Sequence, residues 1–215
     1  MINMIFNKIW GIVKRNIFII ICIFLFIVLC FIIKYNFVDE VKQVDTNVKL
    51  FIDNTFNNNI LTKILKVITN LGNTESVIIL FFIPLLLFKD KIIKLVLALD
   101  LGSIGFVAYV LKKLIARPRP LTALIKMPTS YSFPSGHTFF SFGLYSLIVY
   151  FILKSNMNKY LKILLTVVIS LLIVLISFSR VYLGVHHFTD VMAGMVLGLF
   201  FLLFFINTYL YLKEE

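Results

Sequence analysis

Long apolar runs separated by short polar segments make up most of this chain. Each run approaches the about 20 residues that a helix needs to cross a bilayer. The runs cover residues 17–34, 74–88, 92–111, 136–153, 161–178 and 191–212. The second run is the shortest and contains Pro84, and it reaches spanning length only with Thr74 to Val77 included. The pattern predicts an all-α, polytopic membrane protein with six transmembrane helices.

The segment between the first two runs has a different pattern. In residues 39–72, apolar positions such as Val41, Val44 and Val48 recur at helical spacing among polar ones. This predicts one or two amphipathic helices on the membrane surface, interrupted at Asn57 to Asn59 and ended by Gly72. The alternative is a plain connecting loop.

Composition supports the membrane assignment. The chain has 215 residues, of which 60% are hydrophobic and 14% charged, and its mean hydropathy is +1.01. A soluble domain of this length could not cover so much apolar surface. We therefore expect one integral membrane domain over residues 1–215. Its first apolar run is longer than a signal-peptide core and has no small-residue cleavage site after it, so it is expected to be retained.

The net charge of +11 raises the question of a nucleic-acid partner. The basic residues are scattered at the flanks of the apolar runs without any nucleic-acid-binding motif, which favours anionic lipid headgroups and phosphate instead. Lys8, Lys14 and Arg15 precede the first run, whereas Lys34 and Lys42 follow it. This asymmetry favours a cytoplasmic N-terminus in the cell membrane, although basic residues are almost equally divided between the two sides overall.

Three polar blocks at the ends of apolar runs carry the candidate chemistry. They are KKLIARPRP with Lys112 and Arg119, PSGH with Ser135 to His137, and SRVYLGVHHFTD from Ser179 to Asp190. In a six-helix bundle all three lie on one side of the membrane, the extracytoplasmic side in the predicted orientation. Charged groups are costly inside a bilayer, so cations gathered at helix ends indicate an anionic ligand, which we interpret as the phosphate of a lipid.

The first two blocks are suited to binding an anion. Pro118 and Pro120 keep the backbone around Arg119 extended, and arginine can grip two phosphate oxygens at once. In the second block, a helix is expected to begin near Ser135, so that free amides, the hydroxyl and Gly136 form an anion site with His137 at its rim. Taken alone, the first block could be a basic cluster touching headgroups, and the histidine could be structural.

The third block carries the most specific pattern. His186 and Asp190 are four residues apart and would share one face of a helix, so Asp190 can accept a hydrogen bond from one imidazole nitrogen and leave the other bare as a nucleophile. His187 could also reach Asp190, and Arg180 precedes His186 by six residues across a turn with Gly184. The alternative is a histidine–aspartate pair that caps the last helix.

Together the blocks read Lys-x6-Arg-Pro, Pro-Ser-Gly-His and Ser-Arg-x5-His-x3-Asp. This order resembles the type 2 phosphatidic acid phosphatase family, which shares its site with the vanadium haloperoxidases. The resemblance covers residues 112–190 by motif. The matching positions are Lys112, Arg119, Pro120, Pro134, Ser135, Gly136, His137, Ser179, Arg180, His186 and Asp190.

The resemblance implies a role for each polar position. His186 would attack phosphorus and become phosphohistidine, while Asp190 holds its tautomer. His137 would protonate the leaving lipid oxygen and then activate water. The groups that would bind the phosphate oxygens, without a metal or another cofactor, are Lys112, Arg119, Ser135, Gly136 and Arg180.

The predicted function is therefore a metal-independent lipid phosphatase. Candidate substrates are undecaprenyl pyrophosphate, phosphatidic acid and phosphatidylglycerophosphate, and a haloperoxidase is disfavoured because the chain is embedded in the membrane. A phosphotransferase could use the same site. An anion transporter is a third alternative, because Asp100 lies within a span, although a simple pair with Lys94 or Lys154 would also explain that residue. Gly194 and Gly198 are expected to pack within the bundle, and the sequence leaves the oligomeric state open.

Overall fold

A computed structural model describes residues 2–36 and 38–214, with side chains described for residues 6–35 and 38–214. The elements within these ranges are helices joined by turns and loops. The first five helices are α1 (Ile2–Asn36), α2 (Val38–Phe56), α3 (Asn59–Asn70), α4 (Thr74–Leu87) and α5 (Lys91–Ile115). They are followed by α6 (Gly136–Phe140), a π-helical segment (Ser141–Tyr145), α7 (Ser146–Lys154), α8 (Lys159–Tyr182) and α9 (Phe188–Glu214).

Five described helical stretches are long and apolar enough to cross a membrane. They are Phe6–Tyr35, Lys91–Ile115, Gly136–Lys154, Lys159–Tyr182 and Phe188–Glu214. The second predicted span differs from this pattern. The 14 residues of α4 cover only about 21 Å, less than the about 30 Å of a bilayer core. Helices α3 and α4 meet at an angle of 61° and provide the sixth span if the bent pair is counted as one.

The segment from 39 to 72 forms two helices, as predicted, and the alternative of a plain loop is wrong. Asn58 separates them and caps α3, because its side-chain oxygen accepts a hydrogen bond from the amide of Ile60 at 2.7 Å. Helix α3 packs against α8 through the buried Leu65 and through a 2.7 Å hydrogen bond between Thr62 and the Tyr182 hydroxyl. It is therefore part of the bundle as well as amphipathic.

Helix α9 lies at the centre of the bundle and contacts α1, α5, α6 and the π-helical segment. Gly194 and Gly198 make this close approach possible. A Cβ atom on Gly194 would lie 2.9 Å from the carbonyl oxygen of Ser135, and one on Gly198 would lie 2.9 Å from the Cβ of Phe142. The prediction that these glycines pack within the bundle is confirmed.

Asp100 corrects one expectation. Its side chain is fully buried on the face of α5 that also carries Leu97 and Ile104. Neither carboxyl oxygen has a hydrogen-bond partner within the described residues, so the expected pair with Lys94 or Lys154 is wrong. Lys154 instead lies over the ring of Tyr150, because the helical period turns Asp100 into the core and away from the basic residues at the span ends.

Candidate active site

The three polar blocks meet at one end of the bundle. Helix α5 ends at Ile115, and the next residue, Ala116, adopts a left-handed conformation with φ of 49° that turns the chain into the loop carrying Arg117 and Arg119. The start of α6 carries Ser135 to His137, and the short turn between α8 and α9 carries His186. Hydrogen bonds of Lys112 to Pro134, of Arg119 to His186 and of the Ser135 amide to Asp190 join the blocks into one site.

His186 lies between two oppositely charged side chains. Its Nδ1 is 3.5 Å from Oδ2 of Asp190, and its Nε2 is 3.1 Å from Nη1 of Arg119. A guanidinium can only donate hydrogen bonds, so Nε2 must be the bare nitrogen and Nδ1 must carry the proton directed at the carboxylate. His186 precedes α9, which begins at Phe188, so the turn and not a shared helical face brings the two side chains together, at a contact of 3.5 Å in place of the predicted hydrogen bond.

Asp190 is fully buried and is held from several directions. Its Oδ1 accepts a hydrogen bond from Arg117 Nη1 at 2.6 Å, and its Oδ2 accepts one from the backbone amide of His187 at 2.9 Å. The amide of Ser135 also donates to the backbone oxygen of Asp190 at 3.0 Å. The His187 ring itself points elsewhere, with Nε2 3.3 Å from the Pro118 carbonyl. His187 thus reaches Asp190 through its backbone, not through its imidazole.

Arg119 and Lys112 both bind carbonyl oxygens of the loop before α6. Arg119 donates to the carbonyls of Ser130 at 2.7 Å and Val185 at 2.6 Å in addition to His186. Lys112 donates to the carbonyls of Tyr131 at 2.7 Å and Pro134 at 3.0 Å. A cavity of about 220 Å³ opens beside Arg119 and is lined on its other side by residues 127–131. The guanidinium of Arg119 therefore borders an opening.

The start of α6 has the features of an anion-binding helix terminus. Ser135 is the N-cap residue, and its hydroxyl makes no capping bond but accepts a hydrogen bond from Thr138 Oγ1 at 3.1 Å. The amides of the first turn thus lack a side-chain cap. A Cβ atom added to Gly136 would find open space, with nothing within 4 Å. There is room beside this amide for a ligand oxygen.

Arg180 and His137 complete the site on the side formed by α3 and α4. Arg180 is buried near the end of α8, and its Nη1 donates to the hydroxyl of Thr69. His137 Nε2 is 2.9 Å from Oδ1 of Asn73. His137 also lies within range of the charges of Arg180, Arg119 and Lys112. Every position predicted for the site is therefore at this end of the bundle.

Burial controls the charge state of the nucleophile candidate. It lowers the pKa of His186 to about 3, despite the opposing influence of the Asp190 carboxylate. The pKa of Arg119 is also lowered by burial, an effect that Asp190 partly offsets. His186 is thus neutral at physiological pH, as nucleophilic attack requires.

Within the described residues, no group of three or more His, Cys, Asp or Glu side chains is placed to hold a metal ion.

Sequence reasoning missed three side chains that contact this site. Arg117 bridges Asp190 and the buried Asp45 of α2, which also accepts hydrogen bonds from the amide of Thr189 at 2.9 Å and its hydroxyl at 3.0 Å. Asn73 contacts His137. The Arg-Pro-Arg-Pro stretch contained a signal for Arg117. Asp45 and Asn73 belong to no motif, and their partners are 72 and 64 residues away.

Comparison with known proteins identifies the family. Residues 93–214 match the family model described as PAP2 superfamily. The chain belongs to the PAP2 superfamily. The matched region contains all three polar blocks, so the resemblance stated from the motifs is confirmed.

Two curated proteins show how far the PAP2 likeness extends. Phosphatidylglycerophosphatase B of Bacillus subtilis strain 168 is 32% identical over 186 residues, which cover 84% of this chain and 88% of the relative. Undecaprenyl-diphosphatase of Sulfolobus acidocaldarius is 38% identical over 112 residues, or 50% of this chain and 48% of that protein. The first relative extends the likeness well beyond the PAP2 match itself.

Solved structures share the same membrane PAP2 fold. The transmembrane PAP2 type phosphatidylglycerolphosphate phosphatase from Bacillus subtilis superposes with a TM-score of 0.74 at 27% identity, covering 94% of this chain and 98% of that one. LpxE of Aquifex aeolicus reaches a TM-score of 0.59 at 22% identity, over 78% of this chain and 94% of the other. The all-helical, multi-pass membrane fold predicted from the apolar runs is confirmed.

Proposed function

We propose that this protein hydrolyses a terminal phosphate of a membrane lipid through a phosphohistidine at His186, without a metal ion. Membership of the PAP2 superfamily, together with relatives named as phosphatases, makes it a phosphatase that acts on lipid phosphates. The mechanism, the substrate and the side of the membrane are the proposal. The observation that carries it is the orientation of His186, whose bare Nε2 faces Arg119 while Nδ1 faces Asp190.

The first half-reaction forms the phosphoenzyme. The lone pair on Nε2 of His186 attacks phosphorus as the bond from phosphorus to the bridging lipid oxygen breaks, and His137 donates a proton to that oxygen. Asp190 stabilises the positive charge that develops on the imidazole. Arg119, which contacts Nε2 at 3.1 Å, would exchange this contact for a phosphate oxygen as the bond forms.

The second half-reaction releases phosphate. His137 takes a proton from water as the water oxygen bonds to phosphorus and the bond from phosphorus to His186 breaks. Lys112, Arg119 and Arg180, with the Ser135 hydroxyl and the Gly136 amide, would bind the nonbridging oxygens in both steps. Lys112, Arg119 and Arg180 already donate hydrogen bonds to neutral carbonyl or hydroxyl oxygens, which an anionic phosphate can replace as acceptors.

Three cationic side chains and the amides at the start of α6 can provide the charge stabilisation that a magnesium ion provides in other phosphoryl-transfer enzymes. The test is phosphate release by detergent-purified protein in EDTA. We expect full activity in chelator, inhibition by vanadate, and loss of activity in His186→Ala. An enzyme silenced by EDTA and restored by magnesium would contradict the proposal.

The apolar surroundings support a substrate with a long hydrocarbon chain. A cavity of about 380 Å³ lies between α4, α7 and α8. Tyr145 in its wall follows His137 by eight residues, and Leu172 precedes Arg180 by eight, so each lies about 12 Å along its helix from the site. We assign this cavity, the tail groove, to the hydrocarbon chain of the substrate. Its other lining residues include Leu80, Pro84, Ile148 and Ile169.

Blocking the tail groove tests this assignment. Leu172→Trp should raise KM for long-chain lipid phosphates at least several-fold and leave hydrolysis of a short-chain soluble phosphate unchanged. Leu171→Trp is the matched control, because Leu171 is exposed and outside the groove lining. Equal changes of KM in the two variants would show that the substrate tail does not occupy the groove.

The choice among lipids requires a substrate panel. Undecaprenyl pyrophosphate, phosphatidic acid and phosphatidylglycerophosphate should be compared by kcat/KM, since the two curated relatives are named for the first and the last of these. Phosphotransfer at the same phosphohistidine would produce a phosphorylated acceptor when lipid or sugar alcohols are added. Free phosphate as the sole product favours hydrolysis.

The site is proposed to face outward from the cell membrane, in a domain that spans residues 1–215. A Lys126→Cys variant, in the loop between α5 and α6, should react with a membrane-impermeant thiol reagent in intact cells. Asn156→Cys, in the loop between α7 and α8, should react only after permeabilisation. Both positions are exposed, and Cys22 and Cys30 would first be replaced by serine. The reverse labelling pattern would place the site on the cytoplasmic side.

A further inference from the structure

The bend between α3 and α4 lies inside the active site, although it carries none of the family motifs. Residues 69–73, here the α3–α4 joint, contact three parts of the site. Thr69 accepts a hydrogen bond from Arg180, and the Leu71 carbonyl accepts one from the Tyr145 hydroxyl at 2.7 Å. Asn73 contacts His137. The joint thereby connects a phosphate-binding candidate with the proposed acid.

Gly72 allows the joint to press against His137. A Cβ atom at Gly72 would lie 2.8 Å from Cδ2 of His137 and 2.9 Å from Cγ2 of Ile176. Any larger residue would push the joint away from the imidazole. The close approach places the Asn73 side chain at hydrogen-bond distance from the ring, with Oδ1 2.9 Å from Nε2.

We propose that Asn73 is the positioning residue of His137, as Asp190 is of His186. This inference rests on the proposed role of His137 in proton transfer. The side-chain nitrogen Nδ2 of Asn73 donates to Asn70 Oδ1 at 3.4 Å. The side-chain oxygen Oδ1 of Asn73 therefore faces His137 and accepts a hydrogen bond from its Nε2. Nδ1 of His137 is then the nitrogen that exchanges a proton with the substrate.

An amide acceptor suits a group that gives up a proton and takes one back. Nε2 carries hydrogen in both the neutral and the protonated imidazole, so the bond to Asn73 persists throughout the cycle. In the first half-reaction the Nδ1 proton moves to the lipid oxygen as its bond to phosphorus breaks. In the second, Nδ1 takes a proton from water as the water oxygen bonds to phosphorus. The ring keeps one orientation for both transfers.

The test compares a substrate that needs an acid with one that does not. A lipid alkoxide is a poor leaving group and requires protonation, whereas nitrophenolate leaves from p-nitrophenyl phosphate without it. Asn73→Ala should lower kcat on the lipid phosphate on the order of 10- to 100-fold, within the range that general acid–base catalysis contributes. With p-nitrophenyl phosphate, the first turnover should keep its rate while later turnovers slow and phosphoenzyme accumulates.

Three further variants make the result decisive. Asn59→Ala is the matched control, because Asn59 is exposed at the start of α3, at the opposite end of that helix from the joint. Asn73→Ser should behave as Asn73→Ala does, and it retains a residue that favours the N-cap position of α4 if alanine prevents folding. Asn73→Asp places an acceptor at the same distance and should recover most of the activity on the lipid phosphate.

The outcomes separate this inference from the proposed function. Equal losses in the first-turnover rate on both substrates, or a change in KM alone, would mean that Asn73 only supports the fold or phosphate binding, and would overturn the inference. Unchanged activity in Asn73→Ala and Asn73→Ser would overturn it as well. In these cases loss of activity in His186→Ala would still support the phosphatase mechanism. Activity that persists in His186→Ala would instead remove the mechanism on which the inference rests.

Discussion

Arg117 connects α2 to the proposed nucleophile through its two terminal guanidinium nitrogens. Nη1 donates hydrogen bonds to Asp190 at 2.6 Å and to the Thr189 hydroxyl at 2.8 Å, while Nη2 donates one to Asp45. Both carboxylates are almost fully buried, so each depends on this cation for compensation of its charge. Arg117 therefore acts on His186 only through Asp190.

We predict that Arg117→Ala impairs both stability and catalysis. Removing one partner of a buried ion pair costs about 3 to 5 kcal/mol, because the remaining charges are left uncompensated. The melting temperature should fall, and kcat should fall more than KM changes, because Asp190 loses the contact that fixes it beside His186. Lys113→Ala is the control, since Lys113 is exposed in the last turn of α5 and lies over the Tyr109 ring. A variant as active and stable as the control would disprove the bridge.

Replacing Asp100 is expected to stabilise the fold, whereas replacing Arg117 is expected to destabilise it. Its buried carboxyl has no hydrogen-bond partner among the described residues, and burying an unpaired polar group destabilises a fold. Asp100→Leu should raise the melting temperature, by an amount equivalent to about 1 to 3 kcal/mol, and leave phosphatase activity unchanged. Loss of activity with a normal melting temperature would give Asp100 a functional role and would revive the transporter alternative.

Among the elements, α9 determines where α6 begins. A Cβ atom at Gly194 would lie 2.9 Å from the Ser135 carbonyl and 3.2 Å from the amide of Phe139, so only glycine permits the observed contact. The same turn of α9 lies just after Asp190. The position of the α6 amides, which we propose to bind phosphate, relative to His186 is thus set by backbone packing.

The element-scale prediction uses two glycines. Gly194→Ala should force the start of α6 to move, with a loss of stability of about 1 to 3 kcal/mol and reduced activity. Gly102→Ala is the control, because a Cβ atom there has nothing within 4 Å and alanine is the better helix former. Thermal melting and phosphate release together check both variants. Similar behaviour of the two would mean that α6 can shift without consequence.

In the whole molecule, the buried His186 and the partly buried His187 couple stability to pH. Burial lowers the pKa of His186 to about 3, and burial and Arg117 lower the pKa of His187. Below the ordinary histidine pKa of about 6.5, the unfolded chain takes up protons that the folded chain does not. The free energy of unfolding therefore falls as pH decreases from about 6.5 towards 3.

We expect the melting temperature in detergent to be lower at pH 5 than at pH 7.5. His186→Gln removes one of the groups responsible, so the difference between the two pH values should be smaller in this variant. Lys113→Ala, which leaves every histidine in place, should retain the full difference. An equal difference in the wild-type protein and in His186→Gln would show that His186 does not contribute to the pH dependence.

The sequence predicted the spans because burial of apolar residues in a bilayer depends on length and composition, which are local properties. Four of the five long helical stretches follow the predicted runs within a few residues, whereas α1 begins at Ile2, well before the predicted start at residue 17. Gly72 lies close to the end of α3. The second span was harder to predict, since α4 is too short alone and α3 completes it across a bend. A bend arises from packing against α8 and the site, which no local pattern records.

By itself the sequence determined the membrane class, the three polar blocks and the residues that meet at one end of the bundle, because motif spacing and helix period are properties of the chain. Only the tertiary structure decided which side chains support them. Arg117 with Asp45 and His137 with Asn73 are 72 and 64 residues apart, on segments that meet only when the bundle packs. Such contacts depend on the distances between helices, which the order of residues along a single helix does not specify.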